Sequence, residues 1–217
     1  MLHILNNQNS IVNKYLAELR NVDVQKDSMR FRRNLERIGE ITAYEISKVL
    51  NYAPRTVTTP LGEAVVQCIS DKVVLATILR AGLPLHQGFL NYFDDSENAF
   101  ISAYRSYLSE SEFEIKVEYI ATPSFEGKTL ILVDPMLASG TSMVAAYEAL
   151  CARAGKPTHT HMVSVLGCNE GVDYVLSHTD REEVDLWVAT VDPVLNPHKY
   201  IVPGLGDAGD LAFGEKL

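Results

Sequence analysis

Basic residues are scarce in this chain: 19 Lys and Arg stand against 28 Asp and Glu, for a formal net charge of −9. Nucleic acids and acidic membranes need a clustered basic face, so this balance speaks against both as partners. Any anionic ligand must then be held by local geometry. Cysteine is equally sparse. Cys68, Cys151 and Cys168 are odd in number and show neither paired metal spacing nor a Cys-x-x-Cys, which predicts reduced, mostly buried thiols rather than a disulfide framework. No apolar run approaches the roughly 20 residues that cross a bilayer, and Met1 to Ser10 lack a basic n-region and a sustained apolar h-region. Internal repeats and low-complexity linkers are also missing. The expectation is a cytoplasmic protein without a membrane or nucleic-acid partner.

What is present suits a globular protein. With 217 residues, 47% hydrophobic and 22% charged, the chain can bury a full core in a single domain over 1–217. Ser10 is placed to cap a helix through about Arg20. A longer helix from about Asp27 to Asn51 brings Phe31, Leu35, Ile38, Tyr44 or Glu45 and Val49 near one stripe, so residues 1–55 read as an N-terminal helical part. Within it Arg30-Phe31-Arg32-Arg33 is either an effector or subunit contact or a solvated helix face. Pro54, Pro60 and Gly62 punctuate short extended pieces. Strands follow over Lys72–Ile78, Ala99–Arg105, Thr129–Val133, His159–Leu166 and Val184–Thr190, and Pro84 can open a helix through about Tyr92. This alternation predicts an α/β fold, a parallel sheet flanked by helices. Ser109 to Ile120 alternates Phe113, Ile115, Val117 and Tyr119, the period of a strand with one wet face, and gives a β-ribbon flap at 106–123. His159 and His161 share one strand face; they are a metal pair or a structural pair, and no third ligand is placed by the sequence. Trp187 reads as core or subunit-interface bulk.

The segment with most chemistry is Leu130-Ile131-Leu132-Val133-Asp134-Pro135-Met136-Leu137-Ala138-Ser139-Gly140-Thr141-Ser142. A short, branched, apolar strand ends in a carboxylate, and ligands of open α/β sheets bind beyond that end. The helix that follows starts near Thr141, and its first turn offers unpaired N–H donors and a partial positive charge to a phosphate monoester. Ser139, Thr141 and Ser142 add hydroxyls, and Gly140 lets the backbone approach closely. From these residues alone the loop is a phosphate cradle or an ordinary strand, turn and helix.

The wording Val133-Asp134-Pro135-Met136-Leu137-Ala138-Ser139-Gly140 resembles the phosphoribosyl pyrophosphate (PRPP) loop of the phosphoribosyltransferases of the type I kind, and in particular the uracil phosphoribosyltransferase family, where proline follows the first acid. Ile78-Leu79-Arg80-Ala81-Gly82 is similar to that family's pyrophosphate loop, and Leu195 to Asp210 resembles its uracil-recognition segment. The resemblance runs from about Met29 to the carboxyl terminus, weakest between Ser106 and Pro123. It implies PRPP contacts from Arg80, Arg105, Asp207 and residues 134–142: Asp134, Pro135, Met136, Leu137, Ala138, Ser139, Gly140, Thr141 and Ser142. It implies uracil contacts from Ile201, Gly206, Asp207 and Ala208 in a C-terminal hood segment at 191–217, with Asp134, Arg80 and Asp207 carrying the chemistry.

The activity so implied is transfer of the phosphoribosyl group from PRPP to N1 of uracil, giving UMP and diphosphate. Mg²⁺ is the implied cofactor, carried mainly by PRPP with no certain protein ligand, since Pro135 cannot bind a cation. A GTP effector and a homodimer or larger homo-oligomer are implied likewise. The alternative is a catalytically weak nucleotide- or PRPP-sensing regulator on the same fold. Three departures from the family pattern bear on it: Ser106 and Tyr107 after Arg105, Lys199 where glycine is usual, and Leu211 in place of a basic residue. Gly204-Leu205-Gly206-Asp207-Ala208-Gly209 also satisfies G-x-G-x-x-G, but there is no room for the βαβ unit of a dinucleotide fingerprint before Leu217.

Overall fold

The computed structural model describes residues 1–107 and 113–216, with the backbone alone for 103–107 and 113–117. The chain runs β1 (Leu2–Ile4), α1 (Val12–Arg20), α2 (Ser28–Ser47), β2 (Tyr52–Thr59), β3 (Gly62–Ile69), β4 (Val73–Leu79), α3 (Leu83–Leu90), β5 (Glu97–Tyr107) and β6 (Phe113–Ala121). It continues through β7 (Thr129–Val133), β8 (Met136–Leu137), α4 (Thr141–Ala154), β9 (His159–Cys168), α5 (Asn169–His178), β10 (Val184–Asp192), β11 (Val194–Leu195), β12 (Ile201–Val202) and α6 (Ala208–Phe213). Among the described residues one sheet has the order β1-β10-β9-β7-β4-β5-β6, with β8 beside β9. Every pairing in it is parallel except β5 with β6. The fold is thus the expected α/β class, a mostly parallel sheet flanked by helices.

Burial on both faces explains why the central strands carry near-continuous apolar runs. All five residues of β7 and the first six of β4 are buried. Alternate residues serve two cores. Ile131, Val133, Val163 and Trp187 pack with α1, α2 and α3, whereas Leu130, Leu132, Met162 and Leu186 pack with Met143, Val144 and Leu150 of α4 and Val172 of α5.

The sequence expectations meet three corrections here. Helix α2 stops at Ser47, and its buried stripe is Phe31, Asn34, Leu35, Ile38, Gly39, Thr42, Ala43 and Ile46, while Tyr44 and Val49 are exposed. A polar Asn34 and Thr42 can lie inside because Asn34 donates to Glu18 and Thr42 Oγ1 donates to the Ile38 carbonyl, so apolar character misleads about which face is covered. The extended pieces around Pro54 and Gly62 are two eight-residue strands paired from Tyr52↔Ile69 to Thr59↔Gly62, standing apart from the main sheet. Residues 1–55 also hold the edge strand β1, too short for a periodic pattern to show. The flap region contains the antiparallel β5–β6 ribbon; residues 108–112 lie outside the described residues.

The basic run of α2 is engaged within the chain. Arg30 pairs with Glu18 at 3.0 Å, Arg33 reaches Glu36 at 2.5 Å and Glu40 at 3.3 Å, and Arg32 donates to the Ala212 carbonyl at 2.6 Å. The three cysteines are free thiols, with Cys168 buried and the other two partly covered.

Truncating a side chain where α2 meets the sheet should be costly. Phe31 is 1% exposed, so Phe31→Ala should remove about 3–5 kcal/mol in urea or guanidinium unfolding; a loss below about 1 kcal/mol would show that α2 is not integral to the core.

Candidate active site

Strands β4 and β7 are neighbours in register from Val73↔Thr129 to Thr77↔Val133, so their carboxyl ends deliver Leu79-Arg80 and Asp134 to the same rim. The loop after β7 is stitched to β9. The Asp134 amide donates to the Val163 carbonyl at 3.0 Å, the Pro135 carbonyl accepts from the Val165 and Leu166 amides at 3.1 and 3.0 Å, and Met136 pairs with Leu166. This anchoring orders the approach to α4. Gly140, its N-cap, has φ +81°, and an added Cβ would meet the Gly171 carbonyl at 2.7 Å, so only glycine fits. With no side chain at the N-cap, the first-turn amides of α4 remain available to an anion. Ser139 and Thr141 hydroxyls share a hydrogen bond of 2.9 Å beside them.

A cavity of about 630 Å³ opens at this rim. Of the residues expected from the sequence, Arg80, Asp134, Met136, Ala138, Ser142, Ile201, Gly206, Asp207 and Ala208 line it. Pro135, Ser139 and Gly140 are buried behind the loop, Thr141 is partly covered, and Leu137 is buried in the apolar core, which leaves it the main chain alone for any ligand. Arg105 lies on β5 opposite Ile115, and its side chain is outside the described residues.

The far wall comes from the carboxyl end of the chain. β11 and β12 form a small hairpin closed by Asn196, whose Oδ1 accepts from the His198 and Tyr200 amides at 2.9 Å each. Lys199 at its tip has φ +61°, a left-handed conformation that favours glycine. A bidentate ion pair then fixes the following loop. Arg20 of α1 meets Asp192 at the end of β10 through two bonds of 2.7 and 2.8 Å, the same guanidinium donates to the Gly204 carbonyl at 3.2 Å, and the Gly204 amide donates to Asp192 at 2.9 Å. Burial pushes the Asp192 carboxyl up, yet Arg20 and the Gly204 amide outweigh it and hold it below the usual carboxylate range. Arg20 and Asp192 were not singled out by sequence reasoning, and neither carries a local motif.

Electrostatics differ sharply between the two principal acids. Desolvation at the strand ends pushes Asp134 up to about 7, against a single opposing bond from the Met136 amide at 3.4 Å. Part of Asp134 is open to the cavity, so bound ligand groups can reach it. Asp207 is also pushed up by burial, but the Asp210 and Gly209 amides and Lys216 bring it below its ordinary value. It caps α6 through Oδ1, accepting from Gly209 and Asp210 at 2.8 and 3.0 Å, while Oδ2 faces Lys216 at 3.2 Å. The turn-forming role that an aspartate offers by default is therefore in use alongside whatever it does for a ligand. Arg80 reaches across to Asp210 and to the Gly214 carbonyl, both at 3.3 Å. His198, Lys199, Tyr200, Asp210 and Lys216 also line the cavity. Sequence reasoning passed over most of these; the acid three residues after Asp207 is a helix-start signal that could have marked Asp210.

The family model described as uracil phosphoribosyltransferase matches residues 6–215. A uracil phosphoribosyltransferase of Porphyromonas gingivalis is 55% identical over 210 residues, spanning 97% of this chain and 96% of the relative. One from Methanothermobacter thermautotrophicus is 38% identical over 216 residues, spanning 99% and 95%. Among solved structures, a protein of Aquifex aeolicus superposes with a TM-score of 0.87 at 26% identity, covering 99% of this chain and 98% of that one. A hypoxanthine phosphoribosyltransferase of Staphylococcus aureus, at 16% identity and a TM-score of 0.52 over 87% and 84%, shares the fold.

Two outcomes follow from the geometry. Arg20→Met leaves Asp192 buried with half its partners gone, and should cost about 3 kcal/mol in chemical unfolding; an unchanged midpoint would remove this pair from the structural account. Asp134 has its folded pKa raised above the unfolded value, so its contribution to stability is full below about 4 and is lost as pH rises through about 7. Asp134→Asn cannot ionise, and its Tm relative to the parent should therefore rise between about pH 4 and about pH 7. A difference that stays flat across that window would place Asp134 in a wetter setting.

Proposed function

The chain belongs to the uracil phosphoribosyltransferase family, and from that premise we propose that it transfers the phosphoribosyl group of PRPP to N1 of uracil within the cavity just described. The C1′–diphosphate bond breaks, the C1′–N1 bond forms, N1 loses its proton, and UMP and diphosphate leave. The supporting observation is the juxtaposition of three segments in one cavity: the strand-end loop at 134–142, Arg80 after β4, and the 198–210 segment. They match the three parts of a base, a sugar phosphate and a leaving diphosphate.

In this reading the amides of 139–142 and the hydroxyls of Ser139, Thr141 and Ser142 hold the 5′-phosphate at the α4 terminus. Asp134 orients the ribose hydroxyls, and Arg80 takes the diphosphate, exchanging its contact with Asp210 for the anion. Arg105 adds a second PRPP contact from the ribbon. The main chain of Ile201, Gly206 and Ala208 pairs with the alternating carbonyl and imide groups of uracil, and Asp207 stands between the base and PRPP. Cytosine reverses a donor and is penalised by about 1–3 kcal/mol for each buried group left unpaired. No covalent nucleophile is needed, because positioning and charge stabilisation lower the barrier to an electron-poor sugar.

The donor set suits Mg²⁺ that arrives on the substrate. Asp134, Asp207 and Asp210 line the cavity but, among the described residues, do not converge on one point, and Mg²⁺ commonly keeps waters and substrate oxygens as ligands. Asp207 would supply the protein contact, and the ion supplies positive charge to the departing diphosphate. A homodimer or larger assembly is part of the same proposal. Its support is the hairpin of β2 and β3, where Leu61, Val65, Val66 and Tyr52 are exposed beyond what a free surface strand favours. A GTP effect would be read as a change in rate in the assay below.

The deciding assay follows UMP formation by absorbance with PRPP, Mg²⁺ and a panel of pyrimidines. Uracil should turn over at least about a hundredfold faster than cytosine; PRPP binding with no turnover of any pyrimidine would make the chain a sensor instead. Gly206 has φ +98° in the cavity wall, so Gly206→Val should abolish uracil use while PRPP still binds, and unchanged uracil affinity would refute main-chain readout. Asp134→Asn should cut turnover more than about tenfold with folding intact.

A further inference from the structure

The sequence placed His159 and His161 on one face of a strand and offered no third ligand. The fold provides it. Asp185 of β10 is the register partner of His161, and in the parallel sheet its carboxylate lies 3.2 Å from His159 Nε2 and 3.9 Å from His161 Nδ1. One donor atom from each of these three side chains lies within 4.8 Å of the others. His3, brought in by the edge strand β1 next to β10, points a buried Nε2 without a hydrogen-bond partner to within 3.7 Å of the same carboxylate. This cluster sits toward the amino-terminal ends of the strands, away from the cavity at their carboxyl ends.

We propose that His159, His161 and Asp185, with His3 as the fourth donor, form a binding site for a borderline divalent transition metal of the Zn²⁺ kind. Two or three imidazoles and one carboxylate are the donor set such ions prefer, whereas Mg²⁺ and Ca²⁺ favour oxygen alone. Tetrahedral ligands at about 2.0–2.1 Å from Zn²⁺ stand about 3.3 Å apart. The His159–Asp185 separation already meets this, while His161 Nδ1, 3.9 Å from Asp185, would have to draw closer. Two present contacts compete with the ion. The Met1 amino group is 2.6 Å from Asp185 Oδ1, and Trp187 Nε1–H donates to His161 Nδ1 at 3.2 Å. Asp71 adds negative charge within electrostatic reach of His161. Binding would cross-link β1, β9 and β10, and so stabilise an edge strand only three residues long.

Trp187 is the single tryptophan of the chain and stacks on His3 at 3.8 Å with the rings 9° apart, so its emission reports on this site alone. The test is titration of the metal-stripped full chain with ZnCl₂, and separately NiCl₂, followed by Trp187 fluorescence and by Tm. A saturable change at one ion per chain, with Kd of about 1 µM or tighter and a raised Tm, is expected. His159→Gln, at a half-exposed position, should weaken binding more than about tenfold without altering phosphoribosyl transfer, and Asp185→Asn should do the same. His178→Gln, on the exposed end of α5, should leave it unchanged. No saturable change, or the same titration in parent and His159→Gln, would overturn the site.

Discussion

The bidentate contact between Arg20 and Asp192 ties the first helix, the last core strand and the loop at Gly204 to one point, alongside the core packing of Leu19, Ile201 and Leu205. Asp192 closes the last core strand, Arg20 closes the first helix, and both reach Gly204 at the start of the loop that forms the far wall of the cavity. An ion pair taken largely out of water is stabilising only when its remaining lone pairs and protons are also satisfied. Here the Gly204 amide and carbonyl complete that set, so the loop is not an appendage to the pair but a condition for it. The proposed base-recognition surface thereby takes its position from the sheet.

The cavity also resolves how an acidic chain can receive a strongly anionic substrate. Among the described residues each Lys or Arg that lines it is already matched with an acid: Arg80 with Asp210, Lys199 with Glu170, Lys216 with Asp207. These are exposed pairs of small individual worth, which makes them easy to exchange for phosphate oxygens. The helix terminus at Thr141 needs no exchange, because its amides have no competing cap. Affinity for the proposed donor then rests on one fixed dipole site and several exchangeable charges, with the net charge of −9 irrelevant at short range.

Local chemistry was legible where a function is built from contiguous residues. The strand, acid, turn and helix of 129–154 could be read directly, because apolar burial, the carboxylate and the Gly140 turn all act over a few positions. The helix α2 stripe was misread because Asn34 and Thr42 are buried with their hydrogen bonds met by neighbours, while Tyr44 and Val49 face outward. The hairpin of β2 and β3 showed only as short extended pieces, because its mostly exposed strands carry no clean alternation from which pairing could be read.

By itself the sequence determined the α/β class, the order of strand, acid, turn and helix over 129–154 and the family resemblance, since each depends on spacing within one segment. Only the tertiary structure decided which residues face one another across the chain: Arg20 with Asp192, Arg80 with Asp210, and Asp185 with the two histidines of β9. These pairs are separated by 172, 130 and about two dozen positions. Strand order and register bring them together, and no local pattern encodes the order in which strands are laid beside each other.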